Sequence, residues 1–434
     1  MKKVKILFAL LFCLAILNSF VGANGLNLNS LGTRAMTMGG AFVGLADDFS
    51  AIFWNPAGIA LFKQKYFGFY GVDIIPSGTY NFSVGPVTFV DARTTTKHYL
   101  AGLAAYYHPI AENVVAGIGF YAPSGLGAKW DGNDFKDLTF LRPYKWESKV
   151  GMFTIAPVLA FKVHKMVSVG ASLNINYGMF SIKTHAGDKE LDVDQGQYDE
   201  SLSGWGVGAT IGILVNPHEK FSIGATVRTP SNIKFSGDVE ITNIGILGMI
   251  PDTPFYGADI PAKATVDREV TWPWWVAVGV AVKPIENLTL TGDIQWTQWS
   301  TIDVMESTYG DFFWSLIVDA ERPMHWKDVM QIRFGAEYRY KSLCFRAGYY
   351  WDPSPAPDRT MSVLLPSFDF NVLTAGIGYS LDGLNIEFGV EYLIGKERDV
   401  DYLKKQTDPG WKTAQPGIYN MNVLIPNISV SFKF

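Results

Sequence analysis

The feature that most constrains this chain is a period of two. Val167, Val169, Ala171, Leu173, Ile175, Tyr177 and Met179 interleave with Ser168, Gly170, Ser172, Asn174, Asn176 and Gly178, and successive side chains of an extended chain point to opposite faces. The pattern returns in Ile332, Phe334, Ala336, Tyr338 and Tyr340 against Arg333, Gly335, Glu337 and Arg339, and again in Ile428, Val430, Phe432 and Phe434. A soluble sandwich also alternates, but many of these segments outrun the ~5–6 residues usual for globular strands and suit tilted strands crossing a bilayer. Short polar turns at 109–113, 163–165, 217–220, 284–287, 341–342 and 382–383 alternate with long polar loops, an outer-membrane habit. Aromatic clusters at Tyr106-Tyr107, Trp272-Pro273-Trp274-Trp275, Trp296 with Trp299, and Tyr349-Tyr350-Trp351 fit interfacial girdles. The expected fold class is therefore all-β: a transmembrane antiparallel β-barrel of about fourteen strands, whose even number brings both ends of the barrel to the same side. A closed barrel leaves no unpaired edge in lipid.

The N-terminus carries an export address. Lys2, Lys3 and Lys5 precede an apolar stretch from Ile6 to Leu17, and Val21-Gly22-Ala23 offers small residues for cleavage, so residues 1–23 read as a cleaved signal peptide. Cleavage takes Cys13 and leaves Cys344 as the single cysteine, which excludes an intramolecular disulfide. It also removes three lysines and moves the formal net charge from −5 to −8, leaving no basic excess for nucleic acid. At 48% hydrophobic and 18% charged residues the chain is too apolar to be disordered. Beyond residue 23 no apolar run is long enough for a membrane helix.

Between the cleavage site and the first strand, residues 24–65 do not alternate. The segment is rich in Gly and Ala, yet Phe42, Val43, Leu45, Ile52, Phe53 and Trp54 call for burial. A barrel this wide leaks unless filled, so 24–65 is expected to fold into the lumen as an N-terminal hatch, with 66–434 forming the barrel and its long outer loops. A periplasmic tail is the alternative.

Here the residues become specific. Gly32-Thr33-Arg34-Ala35-Met36-Thr37-Met38-Gly39-Gly40-Ala41-Phe42-Val43, then Ala46-Asp47-Asp48 and Asn55-Pro56-Ala57-Gly58, resembles the hatch of the FadL/TodX family of outer-membrane transporters of long-chain fatty acids and aromatic hydrocarbons. A second match lies in Trp296-Thr297-Gln298-Trp299-Ser300, Trp326-Lys327-Asp328, Arg346-Ala347-Gly348-Tyr349 and Asp352-Pro353-Ser354-Pro355, and the chain closes on Phe434, like the C-terminal signal of outer-membrane barrels. One departure is Ser367-Phe368-Asp369-Phe370, where relatives often carry an acidic and basic pair. The resemblance implies capture of a hydrophobic solute outside, passage into the lumen, and lateral exit through a break in a kinked third strand, with the hatch moving to open the route. It implies as partners a fatty acid or hydrocarbon, the lipid and lipopolysaccharide of the outer membrane and the barrel-assembly machinery. A monomer with both termini periplasmic is expected, with no cofactor.

The residues themselves say part of this. In the third strand Pro123 cannot donate to a ladder and Ser124, Gly125 and Gly127 favour a bulge, which either bends the barrel or opens it. The fourth long loop holds Ile244, Ile246, Leu247, Met249, Ile250 and Phe255, apolar for an outer loop, so it either captures acyl chains, with residues 184–202 of the third loop, or seals the mouth. Asn55 beside Pro56 can cap and hold a hatch turn, giving Asn55, Pro56, Ala57 and Gly58 a gating role. Arg333, Arg339 and Arg346 fall on the lumenal phase, as carboxylate ligands or as partners of neighbours such as Glu337. Glu190, Asp192 and Asp194 only loosely resemble a calcium loop, since Gly196 falls one place late, and no metal site is expected. Without a Gly-x-Ser-x-Gly, His-Glu-x-x-His or Cys-x-x-Cys motif, and with Gly204-Trp205-Gly206-Val207-Gly208 explained by small inward-facing residues, the chain reads as no enzyme. The alternatives within reach are an aromatic-hydrocarbon channel of the same fold, a general porin and a surface adhesin.

Overall fold

Alternation of apolar and polar residues closes the chain on itself. The computed structural model describes residues 25–188 and 192–434. The segment read as a signal peptide, with Cys13, and Glu190 of the acidic loop lie outside the described residues. Fourteen antiparallel strands form the wall: β1 Tyr66–Val84, β2 Tyr99–Ala111, β3 Val114–Trp130, β4 Trp146–His164, β5 Val167–Asp188, β6 Val193–His218, β7 in two halves Phe221–Arg228 and Ser231–Ile241, β8 in two halves Lys263–Trp272 and Trp275–Ile285, β9 Leu288–Thr297, β10 Val329–Tyr340, β11 Leu343–Asp352, β12 Phe370–Leu381, β13 Leu384–Gly395 and β14 Gly417–Lys433. Pairing of β1 with β14, from Tyr66↔Lys433 to Asn81↔Ile418, shuts the barrel.

The wall is inside out relative to a water-soluble protein. Leu173, Val207, Ile211, Val278, Ile294, Phe334 and Phe388 are exposed on the outer face, whereas Ser172, Asn174, Asn176, Thr210 and Gln295 are buried on the inner one. That distribution suits lipid outside and a polar lumen. Both broken strands break at a proline, Pro230 in β7 and Pro273 in β8, which have no N–H for the ladder.

Several sequence expectations need correction. Residues 184–202, read as a loop, are mostly strand: β5 and β6 run 22 and 26 residues and pair from Val167↔Val215 out to Asp188↔Val193. Crossing takes about 9–11 residues, so their far ends stand beyond the bilayer as a hairpin. An additional short strand, Val87–Arg93, folds back on β1, and β9 ends at Thr297 rather than continuing to residue 303. Trp272 and Trp275, assigned to a girdle, turn inward and are buried, leaving Trp274 exposed.

The lumen is filled by the N-terminal segment. Helix α1 Thr33–Thr37, helix α2 Ala51–Trp54 and the 3-10 turn Pro56–Leu61 are joined by irregular chain, and Phe42, Val43, Ile52 and Trp54 are fully buried. The hatch comes close enough to the wall that a Cβ on Gly170 would collide with the Pro56 backbone and one on Gly212 with the Asn55 side chain, so small inward residues are required there.

Candidate functional site

Strand β3 leaves the wall part-way up. It pairs with β2 from Ala111↔Val114 to Leu103↔Tyr121 and no further, so Tyr99, Leu100, Ala101 and Gly102 lack β3 partners. Against β4 the register slips between Tyr121 and Ser124 and then resumes to Trp130↔Trp146. The slip coincides with Pro123, as a mid-strand proline requires. From Tyr121 to Ala128 every residue is buried, because the strand has moved inward. The edge that β2 abandons is taken by the start of the hatch: Leu28 N–H donates to the Pro123 carbonyl (3.0 Å) and Gly125 N–H to the Leu26 carbonyl (2.9 Å). Ser124 Oγ donates to Asn27 Oδ1 (2.9 Å) and accepts from Trp272 Nε1 (2.8 Å). Gly127 lies beyond the slip, opposite Lys149.

On the outer side of this break lies an apolar cleft of about 440 Å³, lined by Phe69, Leu100, Phe120, Phe153, Phe388 and Ile428 among others. Ala122 lines this cleft while Tyr121 and Pro123 line a smaller cavity within the lumen. One strand separates the two spaces.

The hatch is pinned to the wall elsewhere. Asn55 Nδ2 donates to the carbonyls of Val43 and Ile213 (3.0 Å each), and its Oδ1 accepts Ala57 N–H (3.1 Å). One side chain thus joins two stretches of hatch to β6 and caps the turn that Pro56 begins. Ala57 and Gly58 lie within that turn, buried. Asp293 on β9 accepts the N–H groups of Phe42 (2.8 Å) and Val43 (2.9 Å). Asp48 accepts from the Ser50 N–H (2.8 Å) and hydroxyl (2.6 Å), and burial pushes its carboxyl up to about 6.

The three arginines singled out by sequence are engaged. Glu337 accepts from Arg34 Nε (2.7 Å) and Arg346 Nε (2.6 Å). Arg346 also reaches Glu387 (2.8 Å), and Arg34 pairs with Asp47. Arg339 lies 3.7 Å from Glu337 with its side chain 59% exposed, near the short-turn end. Arg333 donates to the Gly39 carbonyl (3.1 Å) and Gln331 (2.8 Å) and covers the Tyr350 ring at 4.1 Å. Gln331 in turn donates to Asp352 (2.5 Å). The structure thus brings Arg34, Arg346 and Glu337 into one cluster, buries Arg333, and leaves Arg339 as the exposed one of the three.

Comparison with known proteins agrees with this architecture. Residues 14–434 match the family described as outer membrane protein transport protein (OMPP1/FadL/TodX). The chain belongs to this family. A long-chain fatty acid transport protein of Escherichia coli O6:H1 is 23% identical over 90% of this chain and 91% of its own length. Among solved structures, a Pseudomonas aeruginosa FadL homologue superposes with a TM-score of 0.79 at 18% identity, covering 94% of this chain and 100% of that one. The Ralstonia pickettii toluene transporter TbuX gives 0.69 at 18% identity, covering 94% and 99%. At these identities the structural likeness speaks for the fold, which is that of a family of transport proteins rather than enzymes.

At the long-loop end this family member exposes apolar surface. The expected loop contains a 3-10 turn, Ile244–Met249, in which Ile244 and Leu247 are buried while Met249 is 75% exposed. Ile246, Ile250 and Phe255 are partly buried against the same core. A second apolar element, helix α3 Phe312–Ile317, was missed by sequence reasoning. Asp311 caps it by accepting Trp314 N–H (3.1 Å), and Trp314 Nε1 donates to the Pro261 carbonyl (2.8 Å), tying it to the loop that carries Ile244–Met249. Phe312 is 70% and Leu316 57% exposed. An acidic cap before an apolar run was the available signal. The hairpin tip holds Asp194, which accepts from Tyr144 (2.6 Å) and Gly196 (2.9 Å) and meets His185 (3.1 Å). Burial would raise its carboxyl, but these hydrogen bonds hold it below the usual range. Among the described residues no cluster of His, Cys, Asp or Glu is built to hold a metal.

Proposed function

We propose that this protein takes up hydrophobic solutes across the outer membrane, with long-chain fatty acids as the main class. The short-turn end and both termini face the periplasm after residues 1–23 are removed, and the long-loop end faces outward. Solute is captured on the apolar surface formed by Ile246, Met249, Ile250 and Phe255 together with Phe312 and Leu316. It passes into the lumen as the hatch, held at Asn55-Pro56-Ala57-Gly58, shifts. It leaves sideways at Pro123, Ser124, Gly125 and Gly127 into the bilayer.

The observation that carries this reading is the break between β2 and β3, where pairing stops at Tyr121 beside an outward apolar cleft. A water-filled diffusion pore has no use for a wall defect facing lipid. An oily solute gains from one, because leaving through the wall avoids re-hydrating its chain at roughly 0.8 kcal/mol per CH₂. The named activity of the Escherichia coli relative supports fatty acids. The TbuX likeness keeps aromatic hydrocarbons as the competing class.

The test is displacement of a fluorescent long-chain fatty acid from the refolded barrel in amphipol by unlabelled fatty acids, toluene and a hydrophilic sugar. Saturable binding displaced by fatty acids alone is expected. Displacement by toluene moves the protein to hydrocarbon uptake, and absence of saturable binding returns it to a porin or surface adhesin.

A further inference from the structure

The gap between β2 and β3 is a framed window. At the short-turn end it stops at the last pair, Leu103↔Tyr121. At the long-loop end it is closed by a strap that follows the short strand Val87–Arg93: Thr94 bridges to Trp130, and Thr95 N–H donates to the Lys129 carbonyl (2.9 Å). His98 leads this strap into β2 and so stands on the rim of the window. Its Nδ1 lies 2.7 Å from Asp73 Oδ2 on β1. Along β1, Tyr70, Val72 and Ile74 are buried toward the lumen, while Phe69, Gly71, Asp73 and Ile75 take the opposite phase. Asp73 is therefore an acidic residue on the lipid-facing side of the wall, where an ionisable group is costly and marks function.

The apolar cleft outside the window reaches this pair. Gly71 and Gly102 lie opposite each other on β1 and β2 and leave its floor bare of side chains. Phe120 of β3, Phe153 of β4 and Phe388 of β13 stand around it, and β14 adds Pro426, Asn427 and Ile428. Asp73 is the one ionisable residue in this lining among the described residues. The other charged groups near the rim are Lys97, next to His98 in the chain, and Lys129 with Glu147, which pair with each other (3.5 Å) where the strap meets β3. Asp73 Oδ1 is buried with no hydrogen-bond partner, so it is an open acceptor, while the His98 side chain is 61% exposed. With Nδ1 turned to Asp73, Nε2 is the ring nitrogen left to meet a solute.

We propose that His98 and Asp73 form a proton-delivery site at the outer mouth of the window, by which a long-chain fatty acid enters the bilayer as its neutral acid. This rests on the uptake reading above and adds a step that a hydrocarbon does not need. A carboxylate drawn into hydrocarbon loses its hydration at great cost, so the head group has to shed its charge at the rim. His98, protonated beside Asp73, transfers the Nε2 proton to the arriving carboxylate. The N–H bond breaks, the acid O–H bond forms, and the imidazole is left neutral. Water on the exposed side of the ring returns the proton. The new O–H donates to Asp73 Oδ1, whose negative charge disfavours the anion at the same place. The chain lies meanwhile in the apolar cleft, and the acid departs uncharged.

The test places the full barrel in nanodiscs whose lipids carry a quencher and follows delivery of a fluorescent long-chain fatty acid and of its methyl ester into the disc at neutral pH, with empty discs subtracted. His98→Gln keeps a donor toward Asp73 but has no proton to give. It is expected to slow delivery of the acid by about tenfold or more, the low side of what a positioned proton donor contributes, and to leave the ester within about twofold of wild type. Asp73→Asn, which removes the charge beside the imidazole, is expected to slow the acid and spare the ester in the same way. Acid delivery at the wild-type rate in His98→Gln overturns the proposal. So does equal slowing of acid and ester, which would make the pair a structural clasp of the strap. Wild-type discs that deliver the ester but gain nothing for the acid sink the proton step alone, whereas delivery of neither beyond empty discs sinks the lateral exit and the uptake reading with it.

Discussion

The hatch meets two walls of the barrel in two different ways. Toward β9 to β14 it is held by charge and by side chains: Arg34 on Glu337, Phe42 and Val43 on Asp293, Gly39 N–H on Thr374 (3.1 Å) and Thr33 N–H on Ser429 (3.0 Å). Toward β3 it offers Leu26, Asn27 and Leu28, joined by two backbone bonds and the Ser124–Asn27 contact, with no ion pair among the described residues. Removing one partner of a buried ion pair costs about 3–5 kcal/mol, whereas a neutral hydrogen bond contributes about 0.5–1.5 kcal/mol. The difference teaches where the contacts are strong and where they are few: the hatch is held by charge at the intact wall and by a few neutral hydrogen bonds at the broken one.

The strongest blow to the fixed side is Glu337→Ala, which takes away the carboxylate that Arg34 and Arg346 share and leaves each with one acidic partner, Asp47 and Glu387. A loss of about 3–5 kcal/mol is expected, read from urea unfolding of the refolded barrel; an unchanged midpoint would mean that charge does not anchor the hatch. On the light side, Gly125→Val with Gly127→Val should force regular strand at the kink and lower uptake of the hydrophobic solute severalfold while the barrel still folds. Uptake at the wild-type rate would remove the lateral route. Asn55→Ala sits between the two, since it deletes bonds to Val43, Ile213 and Ala57. We expect about 1–3 kcal/mol of hatch destabilisation, seen as faster labelling of cysteines placed in the hatch, together with reduced uptake.

The smallest effect should come from pH. Asp48 has its folded carboxyl raised to about 6, above the ordinary value near ~3.9 of an unfolded chain. Between those values the folded state binds the extra proton, so hatch stability rises as pH falls through about 6 and declines again in no part of that window. Labelling of the hatch should therefore be slower at pH 5 than at pH 7.5, and Asp48→Asn should flatten the difference. A pH response of equal size in that variant would assign it to another group.

Legibility followed the range of the interactions. The strand at 114–130 and the defect at Pro123 were readable because a missing N–H and flexible glycines act where they stand. The hatch was readable because Phe42, Ile52 and Trp54 demand burial wherever the chain places them. The loop at 184–202 was misread because its polar residues gave no alternating apolar face, although β5 and β6 continue to pair there regardless of side chain. Trp272 and Trp275 were placed outward because a tryptophan near a strand end suits an interface equally well. The inward turn of Trp272 is fixed by Ser124, 148 residues away, accepting its indole N–H.

Alternation, turn spacing and the terminal motifs by themselves determined a fourteen-stranded barrel with a filled lumen, since those signals arise from neighbours along the chain. Only the tertiary structure decided the state of each lumenal arginine. Arg346 and Arg228 both lie on strands and both enter the lumen, yet one meets Glu337 and Glu387 and the other meets aromatic rings and a carbonyl. Whether a buried charge is neutralised depends on what other strands and the hatch bring within a few ångströms. Arg34 and its glutamate are 303 residues apart, and no local pattern carries that distance.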